Sequence, residues 1–196
     1  MRYALLGDIH SSKEDLEKVL NHIGDAAIEA TLIGTGDLYE CTISKKNITD
    51  FKFTNLDQVM LIPKGFTELL NFSSVRGNQE ERIIYITETK EPLRDSIDAM
   101  PEVIELEKGQ VIHGHQWEWG GEPWSLLQAN VESSLVFYGH SHRSSLTFDG
   151  VTQKITFGIP YALTGENVLV NVGSVVDNRE WVSYDSVENT VIFMKK

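Results

Sequence analysis

Residues 3–37, YALLGDIHSSKEDLEKVLNHIGDAAIEATLIGTGD, carry the reading that decides the fold. Tyr3 to Gly7 is an apolar run that stops at Asp8, which is the pattern of a buried strand. Ser11 or Ser12 offers a helix cap, and Leu16, Val19, Leu20 and Ile23 recur at helical spacing, so a helix is predicted to about Ile23. Ala30 to Ile33 predicts a second buried strand, which ends in Gly34-Thr35-Gly36-Asp37. Strand, helix and strand in this order predict a parallel pair with a right-handed crossover. The fold class is therefore α/β, with strand ends feeding one ligand-binding rim.

Working outward, Leu38 to Phe66 has no clear period, Phe66 to Leu70 reads as helical, and Phe72 to Val75 as a short strand running into Arg76-Gly77-Asn78. Val103–Leu106 and Gln110–Ile112 around Lys108-Gly109 predict a hairpin leading to His113. Pro123 to Val131 suits a short helix with proline in its first turn, and Leu135 to Tyr138 a strand leading to Gly139-His140. From Arg143 onward an antiparallel region is expected, with strands at Ser145–Phe148, Lys154–Phe157, Val168–Val172, Trp181–Tyr184 and Val191–Met194. The expectation is one domain over residues 1–196, α/β first and β-rich later.

Composition narrows the function classes. Hydrophobic residues at 41% and charged residues at 23% fit a soluble globular chain. A membrane span needs about 18 consecutive apolar residues, and no such run occurs. Met1 to Gly7 lacks the long apolar stretch of a secretory signal, so a cytoplasmic location is expected. The single cysteine, Cys41, excludes an intramolecular disulfide and a cysteine-based zinc cluster, and reads as a buried small side chain. A net charge of −12 repels polyanions, which argues against tight general nucleic-acid binding. A small anionic substrate then needs a local positive site.

Five of the six histidines lie in Asp8-Ile9-His10, His113-Gly114-His115 and His140-Ser141-His142. In an extended chain, residues i and i+2 point to the same side, so each cluster would present two ligands to one pocket. Asp37 and Asn78 follow glycines at predicted strand ends, where the backbone turns sharply. A lone Asp-x-His is usually a cap beside a surface histidine, and a lone Gly-Asp is usually a turn. Five such motifs, each after an apolar run and together offering carboxylate, imidazole and amide donors, point to a metal centre.

The ordered set Gly7-Asp8-Ile9-His10, Gly36-Asp37, Gly77-Asn78-Gln79-Glu80, His113-Gly114-His115 and Gly139-His140-Ser141-His142 resembles the calcineurin-like metallophosphoesterases, in particular their small single-domain phosphodiesterase branch. Asn171-Val172-Gly173-Ser174-Val175 is similar to a turn near the C-terminus of that family. The resemblance implies two mixed β-sheets packed face to face with flanking helices. It implies Asp8, His10 and His142 on a first metal, Asn78, His113 and His140 on a second, and Asp37 bridging the two with a water or hydroxide. The implied activity is hydrolysis of phosphodiesters, or of phosphate esters with good leaving groups, by a dimetal-activated water. A phosphomonoesterase and a non-catalytic protein-binding scaffold of the same fold are the rival readings.

Mixed Asp, Asn and His ligands suit two divalent ions, Mn²⁺ first and Fe, Zn²⁺, Ni²⁺ or Co²⁺ next, better than Ca²⁺. Two dications beside Asp8 and Asp37 would leave a positive pocket that attracts a phosphate ester, nucleotides included.

One position departs from the family pattern. Gln79 stands where many members carry a proton-donating histidine, and an amide is no general acid. His115 is the candidate substitute, and Arg76 a candidate phosphate contact. Trp117, Trp119 and Trp124 offer an aromatic wall for a base or aryl group, with ordinary packing as their commoner role. His22 reads as a surface residue. Substrate specificity is expected in Leu38–Phe66 and Gln116–Trp124.

Overall fold

A computed structural model describes residues 1–26, 29–121, 125–130 and 133–196. β1 (Arg2–Leu6), α1 (Lys13–Asp25) and β2 (Thr31–Gly34) are followed by β3 (Glu40–Cys41), β4 (Met60–Leu61) and β5 (Ser73–Ser74). Two further helices, α2 (Asn78–Ile86) and α3 (Pro92–Asp98), lead to β6 (Val103–Leu106), β7 (Gly109–Ile112), β8 (Glu118–Trp119) and β9 (Leu126–Gln128). Then come β10 (Leu135–Tyr138), β11 (Ser145–Phe148), β12 (Val151–Gln153) and β13 (Pro160–Ala162). The chain ends with β14 (Val168–Asn171), β15 (Glu180–Asp185) and β16 (Thr190–Lys195).

Two mixed six-stranded sheets result, in the orders β13-β16-β15-β1-β2-β5 and β12-β11-β14-β10-β7-β6. β1, β2 and β5 are parallel, as are β7, β10 and β14. Each sheet thus has a parallel triad whose strands end at one edge.

Burial explains the near-continuous apolar runs. On β1, Tyr3 and Leu5 face Phe137, Val170 and Val182 in the core between the sheets. Ala4 and Leu6 face the other way, onto Leu16, Val19 and Ile23 of α1 and Ile83 of α2. A strand covered on both faces needs apolar residues at every position, unlike a half-exposed one. The same holds for β10. Its Leu135 and Phe137 lie between the sheets, while Val136 and Tyr138 pack with Trp117, Trp119 and Leu126.

Several expectations change. The region after Arg143 is not wholly antiparallel, because β14 runs parallel to β10. The strand expected at Lys154–Phe157 lies earlier, at Val151–Gln153, because Asp149-Gly150, with φ of 48° and 82°, closes a two-residue hairpin that pairs Phe148 with Val151. Asp-Gly is a preferred sequence for such a turn, because both central residues need positive φ. Leu126–Gln128 is strand rather than helix and pairs with β8, and Ser125, Ala129 and Asn130 are not helical either; residues 123, 124 and 131 of the expected Pro123–Val131 helix lie outside the described residues. Phe66–Leu70 supplies only a 3₁₀ turn at Thr67–Leu69. α2 and α3 fall where the sequence reading made no assignment. His22 is half-buried with its ring edge-on to Trp181, and its Nδ1 accepts the indole N–H at 3.3 Å. Cys41 is buried, as expected. Among the described residues no helix is long and apolar enough to cross a membrane.

Candidate metal centre

The two parallel triads deliver their C-terminal ends to one cleft. Asp8 and His10 follow β1, Asp37 follows β2, and Asn78 opens α2 after β5. From the second sheet, His113 follows β7, and His140 and His142 follow β10. Asp8, His10 and His142 have donor atoms within 4.8 Å of one another, and so do Asp37, His113 and His140. His10 Nε2 lies 3.1 Å from His142 Nε2, and His142 Nε2 lies 3.6 Å from Asp8 Oδ1. Asn78 Oδ1 joins the second group, 3.2 Å from His113 Nε2. The same Asp37 oxygen, Oδ2, is 3.3 Å from His113 Nε2 and 3.7 Å from His10 Nε2, so one carboxylate stands between the groups.

The clusters do not converge by simple alternation along an extended chain. Asp8, His10, Asp37, His140 and His142 all have φ between 47° and 70°. Left-handed backbone at a non-glycine residue costs ~1–3 kcal/mol and persists where surrounding contacts over-determine it. Here the Asp37 carbonyl accepts the N–H groups of Ile9 and His10 at 2.8 and 3.0 Å, zipping the two loops together. The Asp8 carboxylate accepts the His140 N–H at 2.9 Å, tying the first sheet's loop to the second's. The outcome separates His140 from His142: one falls in each group.

The second nitrogens of two of the imidazoles are also engaged. His113 Nδ1 bonds the Thr35 carbonyl at 2.8 Å, and His10 Nδ1 meets a Glu40 carboxylate oxygen at 2.5 Å. Each contact turns Nε2 into the cleft, the arrangement by which metal-ligating histidines are held. The donor set therefore fits two dications on its chemistry and on this orientation.

Residues to which the sequence reading gave no role complete the frame, although Glu80 and Asn171 stand within motifs that carry the family resemblance. Glu80 is fully buried; its Oε2 accepts the Gly77 and Asp37 N–H groups, both at 2.9 Å, and its Oε1 the Tyr39 N–H at 3.0 Å. It thereby stitches the start of α2 to the Asp37 loop. Asn171 donates to the Gly139 carbonyl at 2.8 Å and to Ser141 Oγ at 3.0 Å, clamping the His140 loop to the end of β14. Glu80 could have been flagged as the third helical residue of α2, a capping-box position, had that helix been recognised. Glu40 and Thr35 act through long-range contacts that leave no local pattern.

Burial raises the Asp8 carboxyl to about 7, helped by the Asp37 charge. Burial acts the same way on Asp37, but the His113 imidazole overrides it and holds that carboxyl well below the usual range. For His113 burial opposes protonation and the Asp37 carboxylate outweighs it, raising the imidazole to about 10. Burial and then the His113 charge push His140 down to about 3. In the protein alone the His113 imidazolium thus supplies counter-charge to Asp37, while the His140 ring is neutral.

The other expected residues take different places. The Gln79 side chain lines the cleft; its Oε1 accepts the Cys41 N–H at 3.2 Å, and its backbone N–H donates to Asp37 Oδ1 at 2.9 Å. His115 has its ring centroid 5.2 Å from that of His113 and its Nε2 3.0 Å from Glu81 Oε2. Arg76 is engaged by Glu102 at 3.1 Å and the Asp98 carbonyl at 3.2 Å, and it is not among the residues lining the cleft. Trp117 is buried against Tyr138 and serves packing, whereas half-buried Trp119 packs on Tyr138 and His140 and lines a cavity of about 440 Å³ with Ser141 and Arg143; Trp124 lies outside the described residues. The cleft, about 460 Å³, includes two cations that the sequence reading did not single out, Lys45 and Arg82.

Close approach at Gly77 is needed for this geometry. A Cβ there would lie 2.4 Å from the Asp37 backbone nitrogen and 2.2 Å from Asp37 Oδ1. Gly77→Ala is expected to push the Asp37 and Asn78 loops apart and reduce kcat/KM on an activated phosphodiester at least ~10²-fold, since small misplacements of reacting groups cost that much. Activity equal to wild type in the purified, folded variant would show that the loops tolerate the extra atom.

None of the curated proteins compared with this sequence matches it. Among solved structures, a metallophosphoesterase from Sphaerobacter thermophilus superposes with a TM-score of 0.69 at 16% identity, covering 100% of this chain and 87% of its own. Yfce, a phosphoesterase from E. coli, gives a TM-score of 0.51 at 20% identity, covering 95% of this chain and 89% of its own. At such identities these likenesses show the shared fold. The family model of the calcineurin-like phosphoesterase superfamily domain matches residues 1–188. With a match of that extent, the chain belongs to the calcineurin-like phosphoesterase superfamily.

Proposed function

We propose that this protein hydrolyses phosphodiesters, or phosphate esters with good leaving groups, with two divalent cations as cofactors. The observation that carries the reading is Asp37 Oδ2 standing between an Asp8–His10–His142 group and an Asn78–His113–His140 group. Asp8, His10 and His142 hold one ion in this reading, Asn78, His113 and His140 the other, and Asp37 both. When bound, the pair of ions lowers the pKa of the attacking water and neutralises the phosphoryl oxygens. Glu40 and the Thr35 carbonyl keep the His10 and His113 rings oriented, and Glu80 holds Asp37 and Asn78 in register. Lys45 and Arg82 draw an anionic ester into the cleft of a chain whose net charge is −12. Mn²⁺ is the preferred ion, by the mixed oxygen and nitrogen donors. The direct test is a screen of diester and monoester substrates with metal-stripped protein, restoring one metal at a time. Monoesters cleaved faster than diesters with every metal would overturn the preference.

Gln79 has no proton to give, so the rate should depend steeply on the leaving group's pKa. Aryl diesters should be cleaved well and alkyl esters poorly. Gln79→His is expected to raise kcat/KM for the poor substrates by up to ~10²-fold, at the low end of general-acid catalysis. His115→Ala tests the other candidate donor: a selective loss on poor leaving groups would assign it that role. The measurement is log kcat/KM against leaving-group pKa, with chemistry shown to be rate-limiting. A flat wild-type plot, unaltered by either substitution, would mean that another group donates the proton.

A further inference from the structure

Beside the metal cleft, and sharing Lys45, Asn78 and Arg82 with it, runs a second groove of about 500 Å³. Its remaining wall is formed by Ile48, Tyr85, Glu81 and His115. Tyr85 is 54% exposed, although a ring of this size normally finds cover. It is also held in place: Lys52 Nζ sits 4.0 Å from the ring centroid and donates to the Tyr85 carbonyl. Ile48, at the end of the 3₁₀ turn Lys45–Asn47, adds a second apolar surface. The junction of groove and cleft is cationic. Among the described residues Lys45 has no ion pair, and Arg82 has a buried Nε without a hydrogen-bond partner while its Nη1 donates to the Ile43 carbonyl at 3.3 Å. The one carboxylate in the groove, Glu81, is engaged by His115.

From this juxtaposition we infer that the groove holds a flat-ringed arm of the ester substrate, with a second anionic group at Lys45 and Arg82: the chemistry of a nucleotide carrying more than one phosphate. The inference rests on the phosphoesterase reading above and deepens it. Two dications held by Asp37 and the other ligands would serve the scissile phosphate, so the two protein cations at the junction match negative charge beyond it. An exposed, fixed aromatic ring facing a half-apolar groove matches a planar ring, because stacking tolerates any base that offers a π-face. Residues 45–48 lie within the Leu38–Phe66 stretch where specificity was expected, and Trp117, one of the indoles expected to form an aromatic wall, is spent on packing.

The test is calorimetric titration of the full-length, Mn²⁺-loaded protein with three probes that isolate ring and charge. These are adenosine 5′-(α,β-methylene)diphosphate, which resists cleavage of its phosphate–phosphate link, ring-free methylenediphosphonate, and AMP with its single phosphate. The ringed diphosphate should bind at least ~10-fold more tightly than either other probe, since a stacked base supplies a factor of that size. Tyr85→Ala should erase the advantage over methylenediphosphonate, and Tyr85→Phe should restore it. Lys45→Ala should erase the advantage over AMP. Equal wild-type affinity for ringed and ring-free probes, or an advantage that survives Tyr85→Ala, overturns the groove's assignment. Hydrolysis of bis(p-nitrophenyl) phosphate, measured in parallel, separates the two readings. Ring-dependent binding with no hydrolysis under any metal supports the groove and sinks the phosphoesterase reading. Hydrolysis without ring-dependent binding does the reverse.

Discussion

Asp37→Asn should lower kcat/KM on an activated phosphodiester by at least ~10³-fold, more than any other single substitution in the cleft. The carboxylate is 97% shielded from solvent at its side chain, and its Oδ2 faces His113 and His10 at 3.3 and 3.7 Å. In the proposed site it would be the carboxylate that serves both dications, and its charge would offset their mutual repulsion. Asparagine keeps the shape and can still accept the Gln79 N–H, so the loss should report charge rather than collapse. A factor of 10³ corresponds to about 4 kcal/mol of transition-state stabilisation, within the range for metal-assisted hydrolysis. Bound metal per chain should fall in parallel, read by elemental analysis after dialysis. Gln79→Ala serves as the comparison, because Gln79 offers neither a charge nor a proton. Equal losses from the two substitutions would remove Asp37 from its bridging role.

The second large effect is on stability. Glu80→Ala is expected to cost ~3–5 kcal/mol, because three backbone N–H groups, of Asp37, Tyr39 and Gly77, lose their acceptor inside the protein. Each stranded buried donor costs ~1–3 kcal/mol, and the three are not strictly additive. Glu80→Gln should cost less, ~1–3 kcal/mol, since one oxygen remains while the amide NH₂ confronts an N–H donor. Urea unfolding of the metal-free protein is the appropriate measurement, so that metal binding does not mask the change. A loss below about 1 kcal/mol for alanine, smaller than the cost of a single stranded donor, would show that the Asp37 and α2 loops find other acceptors. Because Glu80 sets Asp37 and Asn78 side by side, Glu80→Ala should also weaken metal binding.

Much of the architecture was legible from residues 3–37 alone. The buried strand, the helix and the second strand appear at Arg2–Leu6, Lys13–Asp25 and Thr31–Gly34, with β1 and β2 parallel; Ser12 stands at the helix start, but its hydroxyl donates to Asp15 Oδ2 rather than accepting a backbone N–H. Strong periodicity and uninterrupted apolar runs survive folding because burial on both faces demands them. The reading failed where local pattern was weak or competed with tertiary pairing. Leu126–Gln128 looked helical after a proline, yet the backbone pairs with Glu118–Trp119. The strand after β11 was placed too late because the Asp149-Gly150 turn was not given its weight. The later half looked antiparallel, yet β14 adds beside β10 in parallel, a choice made by the sheet and not by the segment.

The site divides in the same way. Residue type and order were sufficient to nominate Asp8, His10, Asp37, Asn78, His113, His140 and His142, because a cation needs carboxylate, amide and imidazole donors and strand ends are where a sheet can present them. What the sequence by itself determined, then, was the α/β order, the donor chemistry and the strand ends that carry it. The family resemblance already implied which donors share a group; the tertiary structure shows the backbone that makes the grouping possible. The split of His140 from His142 follows from left-handed backbone at both, held by contacts from loops more than a hundred residues away, such as Asp8 on the His140 N–H. Only the tertiary structure revealed Glu80, Glu40 and Asn171 as the residues that hold those loops. It also drew Arg76 onto Glu102 and brought Lys45, Arg82 and Tyr85 to the cleft's edge. The physical reason is one of range. Periodicity and donor type are properties of neighbouring residues, whereas a side chain's partner depends on which distant backbone groups the packed sheets bring within hydrogen-bonding distance.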